Sequence, residues 1–356
     1  MKKSQSKGGK VGLKEIAAAA KVSMATVSRV LNGNNRVDPA IQTAVLNAAA
    51  KFDPNLLQRN KAKTLAFLLS NRVMLHPFHS RILSGAEACC AVHGWDIVFL
   101  SFNYPLNVRR EQLHLPKLLD RRDVIRAVIV AGTNSGSLIE LLEHEGVPYV
   151  ALGNNIFEPP PLSKGDLVFS DETRGSSDMT RYLIGLGHRD IWFIGNTRLP
   201  WFARCFAGYS HAMDEAGLSP LKSSVDSEDD AQVGYLATKS LMARRERVTA
   251  IFAGNDATAH GVYKALRDCG LSVPDDVSVA GCDDTVGEWL YPALTTIREF
   301  PEQLGKQMVE LLLDRIAKPG AASNQITVPT ELVKRESCKP IVAVAGPAPI
   351  KAVHLK

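Results

Sequence analysis

From Thr64 onward, the chain alternates short runs of unbroken apolar residues with helix-length amphipathic segments. The strand candidates are Leu65–Leu69, Asp96–Leu100, Ala127–Ala131, Tyr149–Leu152, Leu167–Phe169, Ile191–Ile194, Ala250–Ala253 and Val277–Ala280. Helical segments such as Arg81–Val92, Ser137–Glu145, Thr173–Leu186, Ala203–Ala216, Asp256–Asp268 and Glu302–Ile316 separate most of them. A strand apolar at every position is buried on both faces, and strands joined by helices run parallel. More than 230 residues of this pattern exceed one ordinary sheet, which predicts two α/β subdomains. This pattern excludes a fibre and a disordered chain, and no run approaches the roughly 18 apolar residues of a spanning helix.

The first sixty residues have a different texture. Residues 1–10 are Lys, Ser, Gly and Gln apart from the first Met, and predict a disordered arm. Residues 11–53 read as three helices: LKEIAAAA, then MATVSRVLN, then a stretch from Pro39 to Lys51. Asp38 is placed to cap the third helix, with Pro39 at its first turn, and Phe52-Asp53-Pro54 ends it. Residues 1–63 carry twelve Lys and Arg against three acids (Glu15, Asp38, Asp53), a balance of +9. The remainder carries thirty against thirty-four, or −4. A basic head on a mildly acidic body suits a polyanion partner, because neutralised phosphates release condensed counterions.

Residues Val11–Val37, VGLKEIAAAAKVSMATVSRVLNGNNRV, form a helix, a tight turn and a second helix. Ile16, Ala17 and Ala20 face a small core with Val22, Val27, Val30 and Leu31, and the alanines let the helices cross closely. Ser23 is placed to cap the second helix, which exposes Met24, Ala25, Ser28 and Arg29. A short helix with hydroxyls and an arginine on its open face fits the major groove. The string VSMATVSRVLNGNNRV closely resembles the helix-turn-helix of the LacI/GalR family of bacterial transcription regulators. The likeness continues in RYLIGLGHRDIWFIG, in AGNDATAHGVYKALRDCGLSVPDDVSVAGCDDT and in LTTIRE, and covers roughly residues 11–335.

The resemblance implies a helix-turn-helix head at 11–53, a hinge at 54–63 and a core at 64–338 like a periplasmic sugar-binding protein. The expected subdomains of that core are 64–165 with 298–328, and 166–297 with 329–338, leaving 339–356 as a flexible tail. It implies that Met24, Ala25 and Arg29 read bases, while Thr26, Ser28 and Asn32 hold phosphate or structure. Ser23 and Arg36 complete the expected DNA-binding set. The partners implied are a pseudo-palindromic duplex operator, a second copy of the chain, and a small-molecule effector of carbohydrate type. Carboxylates and amides at strand carboxyl ends suit sugar hydroxyls. The resemblance assigns effector contacts to Asn255 and Asp283, with Phe78 across the cleft. Trp201 is a candidate stacking platform or else a buried core tryptophan, and Arg204 and Asp256 join the expected set, Asp256 also being placed to cap the helix that follows.

The chain departs from the family pattern in four places. Gly12 stands where a capping Thr or Ser is usual. KFDPNLLQRNKAKTLAFLLS lacks the usual Gly-Tyr and is short before the first strand, and Lys61 aligns with the leucine that wedges into the minor groove. Asn55, Leu56, Leu57 and Arg59 are the remaining hinge residues, and Leu56 or Leu57 could replace the wedge only in a changed register. Operator binding without the usual hinge kink is the expectation. In WFARCFAGY, Cys205 occupies the position of the family's effector arginine, with Arg204 one residue earlier.

The chain has no GxSxG, Walker loop, HExxH or GxGxxG after the first strand, so no nucleophile, phosphate cradle or cofactor site is expected. The six cysteines show no CxxC and no metal spacing, and His76 and His79 read as ordinary loop histidines. The start, MKKSQSKGGKVGLKE, has no apolar h-region, which predicts a cytoplasmic protein without a secretion signal or membrane segment. The expectation is a ligand-controlled regulator, a repressor, and not an enzyme. The alternative, a sugar-binding transport protein sharing the same core, is opposed by the basic head.

Overall fold

The structure is a computed structural model describing residues 13–31, 37–52, 63–72, 76–159, 165–227 and 229–341. In chain order, α1 (Leu13–Ala20), α2 (Met24–Leu31) and α3 (Pro39–Phe52) come first. Next come β1 (Thr64–Ser70), α4 (Pro77–His93), β2 (Asp96–Phe102), β3 (Ala127–Gly132), β4 (Asn134–Ser135), α5 (Gly136–His144), β5 (Tyr149–Leu152), β6 (Ile156–Phe157) and β7 (Asp166–Ser170). The chain continues through α6 (Glu172–Gly185), β8 (Ile191–Ile194), α7 (Pro200–Glu215), β9 (Leu221–Ser223), α8 (Asp230–Ala243), β10 (Ala250–Ala253) and α9 (Asp256–Arg267). It ends with β11 (Ser278–Ala280), β12 (Thr296–Arg298), α10 (Pro301–Ala317), β13 (Gln325–Val328) and β14 (Glu331–Val333).

The head packs around Ile16, Ala17, Val27, Val30, Val45, Ala48 and Ala49. Its turn closes where Lys21 takes a left-handed φ of 55° and the Val22 amide bonds the Ala17 carbonyl at 3.0 Å. The hydroxyl of Ser23 accepts from the Thr26 amide at 3.1 Å, and Asp38 accepts from the Ala40 amide at 2.8 Å. These are the two side-chain caps that the residue types predict.

The body contains two parallel sheets. The first has the order β13-β7-β5-β3-β1-β2 and the second β11-β10-β8-β9. In β3 every residue is buried, as an all-apolar strand between two helical layers requires. Helices α4 and α10 pack on one face of the first sheet. Their backbones meet closely: a Cβ on Gly85 would lie 2.0 Å from the Glu302 carbonyl oxygen, and one on Gly305 2.0 Å from that of Ile82. Only glycine permits this contact at either position, and it ties the returning α10 to the first sheet.

The chain passes between the sheets three times: after β7, between β12 and α10, and between β13 and β14. The strand Asp166–Ser170 corrects the expected boundary at residue 166. It pairs with β5 on one side and β13 on the other, and so belongs to the first sheet rather than the second. The cause is a buried ion pair at its start. Arg315 of α10 forks onto Asp166 at 2.6 and 2.9 Å, and Asp166 also accepts from the Asn324 amide at 2.7 Å, just before β13. Residues 339–341, placed in the expected flexible tail, are instead bonded to the second subdomain. The Ile341 amide bonds the Leu186 carbonyl at 2.8 Å, and the Lys339 carbonyl lies 3.1 Å from His188 Nε2. The arm at 1–10 and the stretch 342–356 lie outside the described residues.

Asp166→Ala removes the acceptor of Arg315, a side chain only 10% exposed. Breaking such a pair from one side should cost about 3 kcal/mol. A fall in the urea midpoint at unchanged slope reads this loss; an unchanged midpoint would show that the pair does not anchor β7 and β13.

Candidate functional site

Two regions hold the predicted residues. On the head, Val27 and Val30 turn inward, so the opposite side of α2 faces out. Met24 is 55% exposed, Ala25 and Arg29 are exposed, and Thr26 and Ser28 are half-buried. The Ser23 and Thr26 hydroxyls lie 2.9 Å apart at the start of the helix. This face offers a methyl, a thioether, hydroxyls and a guanidinium, which are the groups that meet base edges and phosphates. Asn32, Arg36, Gly12, Lys61 and the hinge residues Asn55, Leu56, Leu57 and Arg59 lie outside the described residues.

The second region lies where the carboxyl ends of both sheets meet. A narrow cavity of about 50 Å3 is lined by Arg72 and Phe78 from the first subdomain and by Trp201, Cys205, Asn255 and Asp283 from the second. A wider space of about 700 Å3 lies between Asn71, Tyr104 and Phe157 on one side and Asn196, Arg198 and Asp226 on the other. Arg72 borders both spaces, and its guanidinium carbon lies 4.4 Å from the centre of the Trp201 ring. A cation–π contact therefore joins the two subdomains across the cleft.

The polar floor is strongly acidic. Glu172, Asp230, Asp283 and Glu299 all line it. Burial, then the neighbouring Glu299, pushes the Glu172 carboxyl well above its ordinary range. Burial, then Asp256, does the same to Asp283, and burial raises Glu299. Glu172 accepts from the Asn154 amide at 2.5 Å and from Arg204 Nε at 3.0 Å. Asp283 Oδ1 takes two bonds from Thr285, one from the amide at 3.0 Å and one from the hydroxyl at 2.7 Å. Its φ of 94° is left-handed, a conformation held by these bonds. Asn255 accepts from the Thr258 amide at 2.8 Å as the cap of α9, and its own amide donates to Asp230 at 2.8 Å.

The structure brings Phe78, Trp201, Asn255 and Asp283 to one cavity. Two expected members are not on its wall. Asp256 is fully buried behind it, accepting from the Thr296 hydroxyl at 2.6 Å and the Val286 amide at 3.3 Å, and so braces β12 against α9. Arg204 is turned onto Glu172 with its guanidinium 5.5 Å from the Phe169 ring, because Cys205 takes the inward position of the helix. His76 and His79 are not ordinary loop residues. His76 precedes Pro77, His79 lies within α4, and both line the cavity. Burial lowers both imidazoles, His79 far more, so both are neutral at pH 7.

Sequence reasoning missed Arg72, Asn155, Glu172, Asp230 and Glu299. The available signal was position, since Arg72, Asn155, Glu172 and Glu299 each lie within three residues of a strand's end. Among the described residues, no cluster of three or more His, Cys, Asp or Glu suits a metal, and no helix is long and apolar enough to cross a membrane. All six cysteines are free, and Cys282 stands 3.9 Å from the lining residue Cys205.

Comparison with known proteins places the two regions together. Residues 12–55 match the family described as bacterial regulatory proteins, lacI family, and residues 180–338 match the periplasmic binding protein-like domain. The ribose operon repressor of Escherichia coli is 31% identical over 335 residues, covering 91% of this chain and 99% of that one. A complex of the transcriptional regulator CelR with cellobiose is similar at 29% identity and a TM-score of 0.68, covering 92% of this chain and 100% of that one. A LacI family transcriptional regulator from Enterococcus faecium with bound ribose has 26% identity and a TM-score of 0.67, covering 79% and 100%.

Burial raises Asp256 from 3.8 to about 7. The folded state therefore keeps a proton that the unfolded chain has already released. The stability this confers is complete below about pH 4 and is lost as pH climbs to about 7. Relative to Asp256→Asn, the parent chain should lose stability across that window and then level off. Urea unfolding of both proteins at several pH values tests this, and a constant difference would place an ionised Asp256 in the core throughout.

Proposed function

The chain belongs to the lacI family of bacterial regulatory proteins, and from that premise we propose a cytoplasmic, homodimeric repressor whose operator affinity is set by a sugar-like effector in the cleft. The observation that carries this reading is the pairing of an exposed Ser/Arg-bearing helix on a basic head with a polar cavity between two subdomains. Three crossovers join those subdomains. Effector occupancy favours one setting of the subdomains, and the setting that a ligand favours is the one it binds better. In a two-fold dimer, a changed setting alters the spacing of two heads and hence their fit to a pseudo-palindromic duplex.

The base-reading set on this account is Met24, Ala25 and Arg29. Ser23, Thr26 and Ser28 serve the backbone, together with Asn32 and Arg36. Arg29 pairs with a guanine edge, and the two apolar side chains meet thymine methyls. The dimer contact we assign includes Tyr291, 97% exposed, and Trp289, 79% exposed. Apolar rings this open in a monomer mark an interaction surface. The relatives named repressors, and those solved with cellobiose or ribose, support a carbohydrate effector held by Asn255, Asp283, Trp201 and Phe78.

Genomic fragments captured by the purified chain supply the operator. On that duplex, Arg29→Ala should weaken binding by about 1–3 kcal/mol in a gel-shift titration. Binding by the parent chain should also fall steeply with salt on a log–log plot. An unchanged affinity removes Arg29 from the reading set, and no preference over random duplex removes the whole assignment. Tyr291→Asp should shift the chain toward monomer in sedimentation velocity, while a variant that stays dimeric places the contact elsewhere.

A further inference from the structure

We propose that the ligand of this cleft carries a protonated amine on a polyhydroxylated body, as an amino sugar does, because Asp230, Asp283 and Glu299 line the cavity without a basic partner. The proposal rests on the effector-cleft reading and sharpens it from a sugar-like ligand to a cationic one.

The charges around the cavity decide the class. Four carboxylates line it, against one guanidinium, that of Arg72. The neighbouring arginines are committed to other acids. Arg204 pairs with Glu172 at 3.0 Å, and Arg81 with Glu302 at 2.6 Å. Arg298 and Arg335 both hold Asp284, each at 2.7 Å. Arg204 also faces Glu299, but its hydrogen bond goes to Glu172. Among the described residues, no basic side chain reaches ion-pair distance of Asp230, Asp283 or Glu299. The two histidines at the wall are neutral and add no compensating charge.

An independent feature also points to a ligand. His79 is only 3% exposed and lines the cavity, and its Nδ1 has no hydrogen-bond partner. A buried ring nitrogen left unpaired is costly unless something fills the space before it. A hydroxylated ligand supplies that partner, and its ammonium group supplies the missing counter-ion. The Trp201 face already holds one cation, the guanidinium of Arg72, at 4.4 Å. A ligand ammonium would meet the same ring electrostatics.

Burial raises Glu172, Asp283 and Glu299, and an adjacent ammonium group favours the ionised form of such carboxyls. A neutral sugar has no such effect.

The test uses the full chain and three matched pairs: D-glucosamine with D-glucose, D-galactosamine with D-galactose, and D-mannosamine with D-mannose. Calorimetric titration is run at pH 7, with Trp201 fluorescence followed in parallel. In at least one pair the amine should bind about tenfold or more tighter than its hydroxyl counterpart. Glu299→Gln and Asp283→Asn should each shrink that preference to about threefold or less, with the circular dichroism spectrum and urea midpoint of each variant serving as the check on folding. Hexoses that bind as tightly as their amines, or a preference that survives both substitutions, overturn the proposal. If hexoses bind, change operator affinity and lose binding in Asn255→Ala, the effector-cleft reading stands and only the amine falls. If no member of any pair changes the fluorescence or the operator affinity, both fall.

Discussion

Parallel strands leave all their carboxyl ends on one edge of a sheet, and here two such edges face each other. Every turn after a strand therefore delivers a side chain to the same crevice. The three crossovers run through that crevice too. Glu172 opens the helix after the first crossing, and Glu299 sits at the second. Two of the carboxylates that line the cavity thus sit on the connections between the subdomains.

The head follows the same economy on a smaller scale. A core of alanines and valines lets short helices cross closely, and one serine hydroxyl starts α2. Those few constraints fix which side of an eight-residue helix is left open. Arg29 is exposed because Val27 and Val30 are not.

The strand pattern was legible in the sequence because burial on both faces demands unbroken apolar runs. Eight such runs each fall on an observed strand of the two main sheets, with ends that differ by a residue or two. The boundary at residue 166 was not legible. It depends on Arg315 meeting Asp166 across 149 positions, and no local pattern encodes that partner. Short strands such as Leu221–Ser223 and Gln325–Val328 were equally hidden, since three or four mixed residues carry little periodicity. In the cleft, Asn255 and Asp283 lie on the wall, while the side chains of Arg204 and Asp256 are drawn to Glu172 and Thr296. The acidic excess could not be read from one motif, because its members come from separate crossings and strand ends.

Coupling between cleft and head is the claim on which the regulatory reading stands, and reciprocity tests it most directly. The affinity for the captured genomic duplex is measured with and without a saturating sugar that changes Trp201 fluorescence. The affinity for that sugar is then measured with and without the duplex. Coupled sites require the two ratios to be equal, at about fivefold or more. Duplex affinity that is indifferent to an occupied cleft would contradict the claim.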